Sequence, residues 1–397
     1  MENLPWYQKP VFLSSWAGST ACNWAGISCD EFGSIVHLNL SRYGLRGTLH
    51  NLSFSSFSNI LSFDLSYNFL YGPIPSSICH LSKLSYLDLS TNQFTESIPF
   101  EVGQLTSLGV LSLAKNSLID LYLYNNQLSS SIPKELGMLT SLSELELSSK
   151  HLVGAIPNSL GNLSSLTKLL LHDNQLSGYI PKILGILSSL NGLDLASNYF
   201  IGAIPTSFGN LTNVIVLYIY IYIYLFYNQL FASIPLELWK LQFLTKLTLL
   251  GNNLSEHIPT EMNNLTQLHF LTLSSNQFTG RLPKNICLNG LLENLSAFDN
   301  HFTGPIPKSL KNCTSLFRVR LDQNHLTRNI AEDFEKYLNL DYIDMSYNNL
   351  YGQISTNWGH YHNLKSLNVA NNNISGRIPP ELGEAIQLHF LDLSSNH

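Results

Sequence analysis

Arg318 and Arg320 stand two residues apart in the segment Leu316-Phe-Arg-Val-Arg-Leu321. In an extended chain that spacing sends both guanidinium groups to one face. Two planar forks side by side can hold a carboxylate through paired hydrogen bonds. A second reading stays open, in which the pair joins an ion-pair network with Asp299, Asp322 or Asp344. Upstream, Lys246, Thr248, Thr272, Ser274, Asn294 and Ser296 recur at matching offsets and would suit an extended, hydroxyl-rich ligand. Exposed strand positions are polar in any case, so this strip is also what an ordinary surface would show.

Other reactive side chains point to less. His301 and His325 lie twenty-four residues apart and are expected to stack as solvated turn residues. His360 and His362 beside Trp358 read as a surface loop, since a metal site needs further ligands. The chain carries no phosphate-binding glycine loop, no HExxH, no nucleophile elbow and no kinase motif. No metal and no cofactor is expected. Charged residues make up 12% of the 397, and the net charge is −6. That balance argues against nucleic acid, which calls for clustered Lys and Arg.

What positions these groups is a repeat of twenty-four residues, Leu-x-x-Leu-x-Leu-x-x-Asn-x-Leu-x-Gly-x-Ile-Pro, ungapped at Leu166–Pro181 and Leu190–Pro205. A period in the twenties marks a leucine-rich-repeat solenoid, an α/β-type array that presents a concave parallel sheet and rarely catalyses. Coils begin at Ile35, Ile60, Leu84, Leu108, Leu118, Leu142, Leu166, Leu190 and Tyr220, then every twenty-four residues from Leu244 to Leu388. Counting the first Leu as position one, positions three, five, seven and eight are expected to face outward. The Asn at position nine should satisfy backbone groups of the turn. Asp64, Asp88, Asp194, Asp344 and Asp392 all fall at position five and read as a habit of the repeat.

Two places break the period. Leu108 and Leu118 are ten residues apart, too few for a crossover between parallel strands. One of the two coils should therefore be expelled or distorted. In Val214–Phe226 the spacing grows to thirty, and tyrosines alternate with Ile and Leu. The run reads as a slipped nucleotide repeat in preference to an aromatic platform, with Leu217, Ile219, Ile221, Ile223 and Leu225 sharing one face. The expected division is a leader and cysteine cap over 1–34 and a solenoid over 35–397, irregular at 108–120 and 214–227.

Cys22 and Cys29 flank one loop, and Cys287 and Cys313 sit near the same position of adjacent coils. Stacked coils lie about 4.8 Å apart, within the reach of a disulfide. Two bridges, with Cys79 left single, imply an oxidising compartment. Nine Asn-x-Ser/Thr sequons at Asn39, Asn51, Asn162, Asn210, Asn253, Asn264, Asn294, Asn312 and Asn373 agree, although such a composition generates sequons by chance. The first ten residues lack the apolar core of a signal peptide, and the last coil stops at Asn396-His397 without a cap. A truncated product is the expectation.

The segment Leu13–Leu49, with Cys22, Cys29, Trp16 and Trp24, resembles the N-terminal cap of plant leucine-rich-repeat receptor kinases. Ile286–Asn324 and Gly352–Gly359 resemble the ectodomains of the male-discoverer-interacting receptor kinases. The resemblance implies a plant-specific repeat superhelix with an irregular, 3₁₀-rich convex side. It also implies an extracellular receptor that senses a secreted serine-rich peptide together with a somatic-embryogenesis-type co-receptor. In that architecture an Arg-x-Arg pair holds the peptide's terminal carboxylate. The membrane helix and kinase domain of the resembled family are absent from this chain, so no enzymatic activity is expected of it. A polygalacturonase-inhibitor-like defence protein is the rival reading; such proteins usually end in a cysteine-bearing cap.

Overall fold

The computed structural model describes residues 20–116, 131–149, 151–211, 221–332 and 339–397. It contains two compact units, Met1–Phe200 and Ile201–His397. In the first, Ile27–Cys29 pairs antiparallel with Ile35–Asn39. From there Ser62–Asp64, Tyr86–Asp88, Val110–Ser112, Glu144–Glu146, Lys168–Leu170 and Gly192–Asp194 continue the sheet in parallel. In the second, Ile221–Tyr224, Leu244–Thr248, Phe270–Thr272, Asn294–Ser296, Arg318–Arg320, Tyr342–Asp344, Ser366–Asn368 and Phe390–Asp392 form the same parallel array.

The strands are short because only Leu-x-Leu alternates. Position four points inward, and Phe63, Leu87, Leu111, Leu145, Leu247, Leu271 and Ile343 are fully buried. After each Ile-Pro the proline, held extended, leads into a five-residue 3₁₀ helix such as Lys134–Met138 or Asn158–Asn162. These helices stack so tightly that a Cβ on Gly137 would meet the Ser159 carbonyl oxygen at 2.3 Å. Only glycine fits there.

The position-nine asparagine is a staple between coils. Asn300 Oδ1 accepts from the Phe278 N–H of the preceding coil at 3.0 Å. Its Nδ2 donates to Leu273 O of that coil and to Ala297 O and Phe298 O of its own. Asn68, Asn92, Asn276, Asn324, Asn348 and Asn372 repeat the arrangement. The residue before the staple is left-handed, φ 49–54° at Tyr67, Thr91, Ser275, Asp299, Gln323 and Tyr347. That turn lets the Asn reach back across the coil boundary.

Val110–Ser112 pairs directly with Glu144–Glu146. On the helical side Gly103 lies against the Glu135 carbonyl, so a Cβ would meet it at 2.4 Å. The Leu118 segment, on which the expectation of an expelled or distorted coil rests, lies outside the described residues, as do Trp16 and Leu217–Tyr220. In the Tyr-Ile run, Ile223 and Leu225 are buried as expected. In the pairing with Leu244–Thr248 the register shifts between Ile221 and Tyr222, whose partners are Leu244 and Lys246, so the extra residue lies on the partner strand.

Both expected disulfides form, Cys22–Cys29 with Cα atoms 5.6 Å apart and Cys287–Cys313 at 5.8 Å. Cys79 is free.

Candidate receptor face on the second unit

Strand register in the second unit lines up two rows of outward positions. Position three gives Lys246, Phe270, Asn294, Arg318 and Tyr342 on successive strands. Position five gives Thr248, Thr272, Ser296, Arg320 and Asp344. The sequence-derived residues are thus brought together on one face, at the strand spacing of about 4.8 Å.

The basic side chains lie flat on rings. Arg318 sits 4.0 Å from the Tyr342 ring centroid, Arg320 3.8 Å from Phe298, and Lys246 4.8 Å from Phe270. Such stacking fixes a guanidinium plane while leaving its edge donors to other partners. Arg320 spends its edge on Asp322, Nε to Oδ1 at 3.1 Å and Nη2 to Oδ2 at 2.9 Å. Asp322 is 2% exposed. Burial pushes its carboxyl above the usual carboxylate range, with the Arg320 hydrogen bonds pulling the other way. For Arg320 burial acts downward, but Asp322 outweighs it and the guanidinium is held more firmly charged. Burial and the Asp344 charge together raise Tyr342. Among the described residues Arg318 makes no ion pair.

Two members of the polar strip are corrected. Ser274 is completely buried, and its Oγ bonds to Ser296 Oγ at 2.9 Å, with Ser296 itself 8% exposed. Position seven lies where the chain enters its left-handed turn, so a small side chain there swings into the neighbouring coil instead of outward. Ser41 and Ser66 pair the same way at 2.8 Å. Thr248, Thr272, Lys246 and Asn294 remain partly exposed, the last with its amide oxygen buried and lacking a donor. Sequence reading missed Phe270, Phe298 and Tyr342; of these Phe298 carried a signal, a large ring at position seven, where most coils have Ser or Ala.

The position-five aspartates have a structural task. Asp64, Asp88, Asp344 and Asp392 each accept the N–H of the residue two further on, at 2.8–3.0 Å. His301 and His325 stack with ring centroids 5.9 Å apart. His360 and His362 join no group able to hold a metal among the described residues. Of the candidate glycan acceptors, Asn39, Asn51, Asn162, Asn210, Asn253, Asn264 and Asn373 are exposed, while Asn294 lies on the main sheet; the Asn312 side chain is outside the described residues.

The pattern for a leucine rich repeat N-terminal domain matches residues 3–30. The Leucine Rich Repeat pattern matches 59–81, 83–105, 117–139, 165–187, 189–211, 267–289 and 363–385. A crystal structure of the Arabidopsis receptor kinase HAESA ectodomain, in complex with an N-terminally extended IDA peptide hormone, superposes with a TM-score of 0.68. It is 32% identical and the alignment covers 97% of this chain and 74% of that one.

The chain belongs to the plant leucine-rich-repeat receptor family.

Within that family it is 43% identical over 70 residues to a probable leucine-rich repeat receptor-like protein kinase of Arabidopsis thaliana, covering 16% of this chain and 6% of that protein. It is 41% identical over 76 residues to the MDIS1-interacting receptor like kinase 2 of the same plant, covering 18% and 7%. These alignments span under a tenth of either curated relative. The 397 residues match leucine-rich-repeat ectodomain sequence and structure. Among the described residues no helix is long and apolar enough to cross a membrane.

Proposed function

We propose that this ectodomain recognises a secreted peptide, laid in extended form along the main-sheet face of the second unit, on the outer side of the plasma membrane. Arg318 and Arg320 receive the peptide's terminal carboxylate; Lys246, Thr248, Thr272 and Asn294 contact its backbone and hydroxyl groups. Ser274 and Ser296 support the floor beneath it. The observation that carries this reading is Arg318, fixed on the Tyr342 ring with its hydrogen-bonding edge uncommitted among the described residues. A guanidinium so placed is preorganised for an anion and loses little freedom on binding.

The finer reading follows the resemblance of Ile286–Asn324 and Gly352–Gly359: a serine-rich peptide as ligand, and pairing with a somatic-embryogenesis-type co-receptor kinase near the C-terminal coils. The test is calorimetric titration of the secreted chain with serine-rich peptides, with and without the purified co-receptor ectodomain. Micromolar or tighter binding that strengthens when the co-receptor is added supports the reading. No binding by any such peptide removes it.

A further inference from the structure

The first unit carries a second surface with a different composition, on the lateral side of its coils. Arg46–Gly47, Phe69–Pro73 and Gln93–Thr95 form a small parallel sheet there. Alternation along the middle strand buries Leu70 and turns Phe69 and Tyr71 outward, and Tyr67, just before the strand, is exposed as well. The three rings are 47%, 46% and 51% exposed for Tyr67, Phe69 and Tyr71. On neighbouring coils the equivalent positions hold polar residues such as Thr91, Gln93 and Thr95, and no other described coil has rings at all three. Rings at alternate residues of a strand recur about every 6–7 Å.

The coil before contributes two arginines to the same patch. The Arg42 guanidinium lies 4.4 Å from the Tyr67 ring centroid, and that of Arg46 4.9 Å from Phe69. Among the described residues neither has a carboxylate partner. Stacking leaves their edge donors pointing to solvent, so each ring–guanidinium pair offers an apolar plate beside an anion receptor.

We infer that this surface binds an acidic oligosaccharide built from uronic acids. The strand Phe69–Pro73 is already paired on both sides, so a peptide cannot add to its backbone edge. What remains is flat: ring faces in a row and two free guanidinium edges. A pyranose presents a face of C–H groups that packs on an aromatic ring, and a uronic acid adds one carboxylate per sugar for an arginine. A linear uronate polymer thus matches both the apolar and the charged part of the patch, and it does so without a pocket.

The probe is an oligogalacturonate titrated into the intact secreted chain. Controls are its fully methyl-esterified form and poly-glutamate, with folding of each variant checked by circular dichroism and Tm. The uronate should bind, and the ester about tenfold more weakly. Arg42→Gln with Arg46→Gln should cost the uronate at least as much, Phe69→Ser with Tyr71→Ser should weaken it several-fold, and Arg318→Gln should leave it unchanged. Rising salt should weaken binding as well. The inference is overturned if the wild type does not bind, or if the ester binds equally. It also fails if poly-glutamate binds as tightly and the ring substitutions do nothing, which would make the patch a surface for an acidic protein.

Discussion

Arg320 grips both carboxylate oxygens of Asp322, at 3.1 and 2.9 Å, two residues along its own coil. Its neighbour Arg318 has no such partner among the described residues, so two arginines of one strand have different tasks. Arg320 is in part structural: without it Asp322 would be a buried charge with no counterion. Arg318 is the group to which the proposed function assigns the peptide's carboxylate.

That asymmetry predicts opposite behaviour of two similar variants. Arg320→Gln should lower stability by about 1–3 kcal/mol, because it strands a buried carboxylate. Arg318→Gln should leave the urea midpoint within about 0.5 kcal/mol of wild type yet weaken peptide binding about tenfold or more. Parallel denaturation and titration of the two proteins decides it.

The asparagine staple predicts that shape without donors is not enough. Asn300 makes four hydrogen bonds to buried backbone groups. Asn300→Ala should cost about 3 kcal/mol, since several of those groups lose their partners at once. Asn300→Asp keeps the shape but cannot donate, and should cost a comparable amount at neutral pH by urea denaturation.

Three coils put an ordinary residue where others use a left-handed glycine: Glu96, Ala232 and Glu256, at φ 63°, 71° and 68°. Replacing Ala232 or Glu256 by Gly should stabilise the protein by roughly 0.5–1 kcal/mol, the relief of strain exceeding the added chain entropy. The reverse change, Gly280→Ala at φ 73°, should destabilise by a similar amount. Thermal unfolding of the three variants checks the sign.

Asp88 links stability to pH. Burial raises its carboxyl above the ordinary value of 3.8, partly opposed by hydrogen bonds from Ser90. Folding therefore favours the protonated form. The stability this group contributes is fully present at low pH and is lost as pH rises through the raised folded-state value. Asp88→Asn lacks that titration, so the Tm difference, wild type minus variant, should fall between pH 3.5 and neutrality. A difference that stays flat or rises contradicts it. The nearby Tyr86, half-buried and hydrogen-bonded to Asp88, is pushed up to about 12 and should be silent over that range.

The repeat made much of this legible. Period alone located the strands, the staples and the stacked His301–His325 pair, because in a coil array sequence distance converts directly to spatial distance. The Cys287–Cys313 bridge followed from the same arithmetic. What the period could not show was rotation within the turn: Ser274, read as outward, is buried because a left-handed residue follows it. Nor could it show that Arg320 turns along its own coil to Asp322. The lateral rings Tyr67, Phe69 and Tyr71 went unread because periodicity marks them only as surface, and their meaning appears when Arg42 and Arg46 are placed beside them.

The central claim, that Arg318 receives a peptide's terminal carboxylate, is tested most directly by a two-by-two titration. A serine-rich peptide is measured as free acid and as carboxamide, against the wild type and Arg318→Gln. Amidation should cost the wild type about tenfold in affinity and the variant almost nothing, because the two changes remove one shared interaction. Equal affinity of acid and amide for the wild type, or an amidation loss that persists undiminished in Arg318→Gln, would contradict it.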